Sequence, residues 1–224
     1  RAFYIYGNGM LGDWGAHVID FAHNYLKLGL PTRVEPLRMD DYNQVIFPLS
    51  SHIRMQFPKR GTGLPACEML WRDGSDTVPV LDRKYHNSDL SGNLVAPRLG
   101  RAGTVLHRKD EQFVIQRGSH GSASRLYPRA SMMDYKRALK APSGGLDHMQ
   151  SFIQSCLGNG KTTSPFSVGG PLTQLLMLGV IAQYLNEGFN FDRGTKRITN
   201  NPVADAMLEG PAPRKGWESY YTGA

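Results

Sequence analysis

The sequence predicts an α+β fold: an open, mainly antiparallel sheet with helices packed on one of its faces. Three observations predict it. Residues 32 to 116 read as consecutive short strands and loops with no crossover helix between them. Gly, Pro, Asp and Asn punctuate those strands, and helical periodicity is confined to the segments on either side of them. With 224 residues, 40% hydrophobic and 20% charged, the chain is long enough to bury a core, and one domain over residues 1–224 is expected.

Taken in order, an extended RAFYIY segment leads into a glycine-rich turn, and Asp13 to about Leu28 then has the spacing of an amphipathic helix closed by Gly29 and Pro31. From Thr32 to about Phe57 the pattern alternates. In His52-Ile53-Arg54-Met55-Gln56-Phe57 the alternation places Ile53, Met55 and Phe57 on one face. Further strands fit Glu68 to Arg72, Gly103 to His107 and Gln112 to Gln116. The turn-rich stretch at about 73–100 reads as a surface excursion or a lid. Helical patterns return at Ser131 to Leu139, with Ser131 as N-cap, at Leu146 to Leu157 and at Leu172 to Leu185, where recurrent leucines predict burial. The aromatic and basic tail from Pro211 to Tyr221 reads as a strap packed on the body.

Composition narrows the function classes. No run of about 18 apolar residues predicts a spanning helix, and the N-terminal RAFYIYGNGM lacks a signal-peptide pattern, so no membrane partner is expected and the compartment, cytoplasmic or bacterial periplasmic, stays open. Cys67 and Cys156 have no metal-ligand spacing and read as thiols in apolar settings. The net charge of +7 is spread over single and paired basic residues with carboxylates among them, which argues against nucleic acid.

Gly7-x-Gly9-x-x-Gly12, between an extended segment and a helix, matches the dinucleotide-binding fingerprint, and Glu35 stands about twenty residues on. The next residue is Asp13, whose charge would oppose a pyrophosphate where a helix N-terminus should attract one. With no strand–helix alternation to follow, a nucleotide loop is not expected here.

Asp13, His17 and Asp20, spaced by four and three, fall on one helical stripe. A carboxylate beside His17 would raise the basicity of the imidazole and fix its tautomer, suiting it to exchange a proton with a sugar hydroxyl. Gly9 would let a polar substrate approach the backbone, and Trp14, like Trp71 and Trp217, could stack on a sugar. Two plainer readings stay open: a dipole-favouring Asp13 with a structural His17–Asp20 pair, and a metal shared by His17, Asp20 and His23, for which no recognised signature is present.

The run from Gly7 through Asp13 to His17 resembles the Gly-Gly-Gly-x-x-x-Asp-x-x-x-His motif of the Gfo/Idh/MocA family of oxidoreductases, with Asn8 in place of the middle glycine. Further matches follow in order: Gly29-Leu30-Pro31 before a strand, Leu70-Trp71-Arg72-Asp73-Gly74, Gly170-Pro171-Leu172 leading a leucine-rich helix with Leu178-Gly179, and Arg214-Lys215-Gly216-Trp217. The resemblance implies the C-terminal substrate-binding and oligomerisation domain of a sugar oxidoreductase, its open sheet face making a homo-oligomer and His17 serving as acid/base. Asp13 would assist His17, with Asp20, Gly9 and Trp14 near the substrate. NAD or NADP would be bound mainly by an N-terminal Rossmann domain that this chain is expected to lack, and the family's Glu-Lys-Pro tripeptide does not occur in it. Two other functions stay open: oxidation followed by elimination at a glycosidic bond, with no net change in the nicotinamide, and carbohydrate binding or assembly without catalysis.

Overall fold

The structure is a computed structural model and describes residues 1–74, 79, 81, 83–88, 91–95, 102–108, 113–119, 124–127, 129–138, 147–162 and 164–220. Part of the 73–100 excursion, and Gln112, Leu139, Leu146 and Tyr221 at the ends of expected elements, lie outside these residues.

The α+β architecture is present. Helix α1 (Gly9–Tyr25) is followed by three antiparallel strands, β1 (Arg33–Asp40), β2 (Ser50–Phe57) and β3 (Cys67–Asp73). Two late strands, β9 (Phe189–Asp192) and β10 (Arg197–Ile198), extend the same sheet to the order β10-β9-β1-β2-β3. Between them come the short β4 (Asn87–Ser88) and β5 (Leu94–Val95), which pair together, and a second antiparallel sheet of β6 (Gly103–His107), β7 (Phe113–Arg117) and β8 (Ser124–Tyr127). The remaining helices are α2 (Arg129–Ala138), α3 (His148–Cys156), α4 (Phe166–Leu185) and α5 (Pro202–Ala206).

Period-two alternation decides what each side of the large sheet meets. Val34, Met55 and Met69 share one row across β1, β2 and β3, and Pro36, Ile53 and Trp71 share another. These rows face α1 and α4 and form the main core with Phe57, Phe189, Leu11 and Leu175. Where the helices cross, glycines admit partner leucines: a Cβ on Gly15 would come within 2.5 Å of Leu176, and one on Gly179 within 2.6 Å of Met55 and against Leu11. That reciprocal seating is why α1 and α4 approach so closely.

The core carries one polar network. Asp73, ending β3, accepts hydrogen bonds from the backbone N and Oγ of Ser51, each at 2.7 Å, and from Trp71 Nε1 at 2.9 Å. Gln183 of α4 donates to Ser51 Oγ at 2.7 Å, joining helix to sheet. The second sheet has its own small cluster around Leu81 and Ile115, and Thr104 Oγ1 on β6 donates to the Val18 carbonyl of α1 at 2.8 Å.

Several boundaries differ from expectation. The strands over 67–73, 103–107 and 113–117 lie where alternation put them, but the stretch from Thr32 to Phe57 divides into β1 and β2, with a β-bulge between Pro36 and Arg38. Ser131 is no N-cap, because α2 already begins at Arg129; Asp147 caps α3, accepting from Gln150 N at 3.0 Å. Helix α4 starts six residues before Leu172 and carries Pro171 inside it. Its length and composition would suit a membrane span, yet here it is a core helix with eight buried residues. The tail is exposed rather than packed down: Arg214 lies over the Trp217 ring, 5.6 Å from its centroid, and Trp217 contacts Tyr220.

Candidate functional site

The glycine-rich turn is the beginning of α1 rather than a loop before it. Gly9 starts the helix at φ +64°, a left-handed conformation that favours glycine. Asp13, expected in the first turn, therefore stands in the second, and the first turn holds no acidic residue.

The space beside each of the three glycines is taken by the protein itself. A Cβ on Gly7 would sit 2.8 Å from the Arg1 backbone, one on Gly9 would sit 2.5 Å from the Phe47 ring, and one on Gly12 would strike the Asn8 side chain. The close approach that Gly9 permits is used by Phe47, whose ring also stacks on Tyr4 at 3.9 Å between centroids. Tyr4 in turn donates its hydroxyl to the Gln183 carbonyl at 3.2 Å, and burial pushes that phenol well above its usual range. Tyr42 likewise donates to the Tyr184 carbonyl at 2.9 Å, so two tyrosines satisfy the C-terminal end of α4. Side chains at the three glycines would thus run into Arg1, Phe47 and Asn8, and Asp13, whose charge would oppose a pyrophosphate, follows the run.

The stripe forms as the spacing predicts, on the side of α1 turned away from the core. The buried positions are Gly9 at the helix start and Leu11, Gly15, Ile19, Ala22 and His23; Asp13, His17 and Asp20 lie across the helix from Leu11, Gly15, Ile19 and Ala22. Asp13 and His17 are exposed, while Trp14 and Asp20 are half-buried. Asp13 Oδ2 pairs with Arg1 at 2.8 Å. The Trp14 ring contacts that of His17, with centroids 5.7 Å apart and planes at 73°. His23 is turned inward, 5% exposed, and its Nε2 lies 3.0 Å from the Gly29 carbonyl, so that nitrogen carries the proton and donates. Burial holds the His23 imidazole below the usual histidine range, opposed by that hydrogen bond and by Asp20. The His17, Asp20 and His23 set is not brought together, and among the described residues no three His, Cys, Asp or Glu side chains could hold a metal ion.

Chemically, the stripe presents an accessible imidazole flanked by an indole, a carboxylate one turn away that is engaged by a guanidinium, and a second carboxylate three residues on. Such a set can hydrogen-bond vicinal hydroxyls and exchange a proton with one of them. The other tryptophans stand elsewhere, Trp71 in the core and Trp217 in the exposed tail. A shallow depression at the far end of the β2–β3 hairpin, lined by residues including Thr32, Phe57 and Cys67, contains no stripe residue.

Sequence reasoning missed Arg1 and Phe47. Each acts on the stripe or its glycine turn from a position that no helical or strand spacing links to it. Comparison with models of known protein families gave no match, and comparison with curated proteins gave none either.

Proposed function

We propose that this chain is the substrate-binding part of an NAD- or NADP-dependent oxidoreductase of sugars or sugar derivatives, with His17 as the acid/base at the substrate hydroxyl. One observation carries the reading. The run that resembles the family motif folds as a helix whose Asp13, Trp14, His17 and Asp20 are turned away from the core or lie at its margin, with His17 open to solvent.

The nicotinamide would be held by residues other than the Gly7–Gly12 run, and when bound it would supply the hydride acceptor. This chain would contribute the rest. Asp20 and the Asp13–Arg1 pair would accept and donate hydrogen bonds to sugar hydroxyls, Trp14 would offer an apolar edge, and His17 would take the proton of the hydroxyl that is oxidised. The same acid/base would serve a parent enzyme that oxidises a sugar only to labilise a glycosidic bond. Assembly into a homo-oligomer through the open sheet face belongs to the same proposal.

Saturation-transfer NMR of the 224-residue chain with glucose, galactose, glucuronate and N-acetylglucosamine at millimolar concentration tests it. At least one sugar should bind, and His17→Ala with Asp20→Ala should abolish that binding without lowering the unfolding temperature. NADH alone should leave the chain's spectrum unchanged. Sugar binding indifferent to both substitutions, or tight NADH binding at the glycine turn, would overturn the reading.

A further inference from the structure

The first residues of the chain and the loop between β1 and β2 form a small ribbon beside the C-terminal end of α4. Phe3 and Ile46 bridge in antiparallel fashion, Tyr4 N donates to the Val45 carbonyl at 3.2 Å, and Phe47 N donates to the Ala2 carbonyl at 2.8 Å. Three rings anchor the ribbon to the body. Tyr4 and Tyr42 donate to α4 carbonyls, and Phe47 stacks on Tyr4 and takes the space beside Gly9. Asn43 Oδ1 accepts from Val45 N and Ile46 N, each at 2.9 Å, so the turn is also held by its own side chain. The apolar residues between these anchors add nothing to the core. Phe3, Ile5, Tyr6, Val45, Ile46 and Leu49 are 40–80% exposed, and none belongs to either core cluster.

At roughly 150–200 Å² per large side chain, those six leave on the order of 700 Å² of largely apolar surface open, above the ~300–600 Å² of a typical monomer's largest patch. A stable protein interface takes about 800 Å² from each partner. Residues 2–12 and 42–49 contain no Asp, Glu, Lys, Arg or His. A partner of opposite charge, or an anionic membrane, would find no charges there to select it. The chain as a whole carries +7, so its copies repel one another except where an uncharged surface meets its like. An uncharged apolar ribbon is complementary to itself across a two-fold axis. We infer that this ribbon is the contact of a symmetric dimer, the Phe3–Ile46 pair of one copy lying against that of the other. The contact is separate from the open sheet face, where Glu35 pairs with Arg33 and Arg54 and Gln56 pairs with Glu68, and it holds whether or not His17 is an acid/base.

Sedimentation velocity of the full 224-residue chain, from micromolar to near-millimolar concentration, should show a reversible monomer–dimer equilibrium. Ile5→Glu with Val45→Glu should weaken the dimer at least about tenfold and leave the unfolding temperature unchanged, because both side chains are exposed. Leu70→Glu, on the open sheet face, should leave the dimer in place. If the double variant fails to fold, Ile5→Ser makes the milder change and should weaken the dimer in the same direction. In the wild type, the methyl NMR signals of Ile5, Val45, Ile46 and Leu49 should shift on dilution while those of the buried Ile53 and Leu175 stay. A chain that is monomeric throughout the range overturns the inference, including one that sediments with phosphatidylcholine vesicles, which would put a lipid surface on the ribbon instead. A dimer that keeps its strength in the ribbon variants, or loses it only with Leu70→Glu, overturns it too and moves the contact to the open sheet face.

Discussion

The two faces of the five-stranded sheet come from one alternation and end in opposite environments. On the covered face, Val34, Ile53, Met55 and Phe189 are wholly buried under α1 and α4. On the open face, the rows opposite in register are Arg33–Gln56–Glu68, Glu35–Arg54–Leu70 and Arg38–His52–Arg72. Those rows satisfy one another laterally. Glu35 accepts from Arg33 and Arg54, Gln56 donates to Glu68 at 2.9 Å, and Arg33 donates to Asn190 at 3.0 Å. Burial disfavours the ionised Glu35, but hydrogen bonds from Arg54 and Arg33 outweigh it and hold the carboxyl below its usual range. The contrast teaches that stability is concentrated on one side of each element. The other side of the sheet, like the outward side of α1, is free to carry chemistry or contacts without disturbing the core.

The sharpest way to break that contrast is to empty the covered side. Leu175 is wholly buried in the main core, and Leu175→Ala should cost about 3 kcal/mol through lost burial and the cavity left behind. Urea unfolding measures it. On the open face, Arg54→Ala removes a partner of Glu35 that is itself about a third exposed, and Arg33 remains to pair with the carboxylate. The cost there should be about 1 kcal/mol or less by the same assay. Equal losses for the two substitutions would mean that the open face is buried in solution, as an oligomer through that face requires.

Much of this was legible because periodicity reports one-sided burial. Ile53, Met55 and Phe57 share a buried face as their alternation says, and Asp13, His17 and Asp20 share a helical side as their spacing says. What spacing does not carry is long-range pairing. Nothing local joins Arg1 to Asp13, or Phe47 to Gly9 across thirty-eight positions, and these contacts decide which carboxylate is engaged and what the glycines are for. The first turn of α1 was also hidden, since glycines read as a loop until packing shows what fills the space a side chain would need. The late strands β9 and β10 are too short for alternation to reveal, being four and two residues long.

The smallest expected effect separates the two faces by pH. His52 stands on the open side of central strand β2, yet its Nε2 is shielded from solvent and has no hydrogen-bond partner among the described residues. Burial holds its imidazole below the usual histidine range, and Arg72 and Arg38 on the flanking strands push the same way against the weaker pull of Asp40 and Asp73. His23, on the covered side, is depressed chiefly by burial. A histidine whose folded pKa is depressed binds its proton more readily in the unfolded chain. Its contribution is therefore fully present above the unfolded value, about 6.5, and is lost as pH falls from there toward the folded value. Glu35, Asp40, Asp192 and Asp205 are depressed as well, but they start from carboxylate values of 4.5 or 3.8 and act at lower pH. The unfolding temperature should thus decline between pH 7 and pH 5, and His52→Gln should flatten the decline while leaving the share due to His23. A decline identical in wild type and His52→Gln would place the whole effect on the covered side. It would also show that the row of Arg38, His52 and Arg72 tolerates a third positive charge.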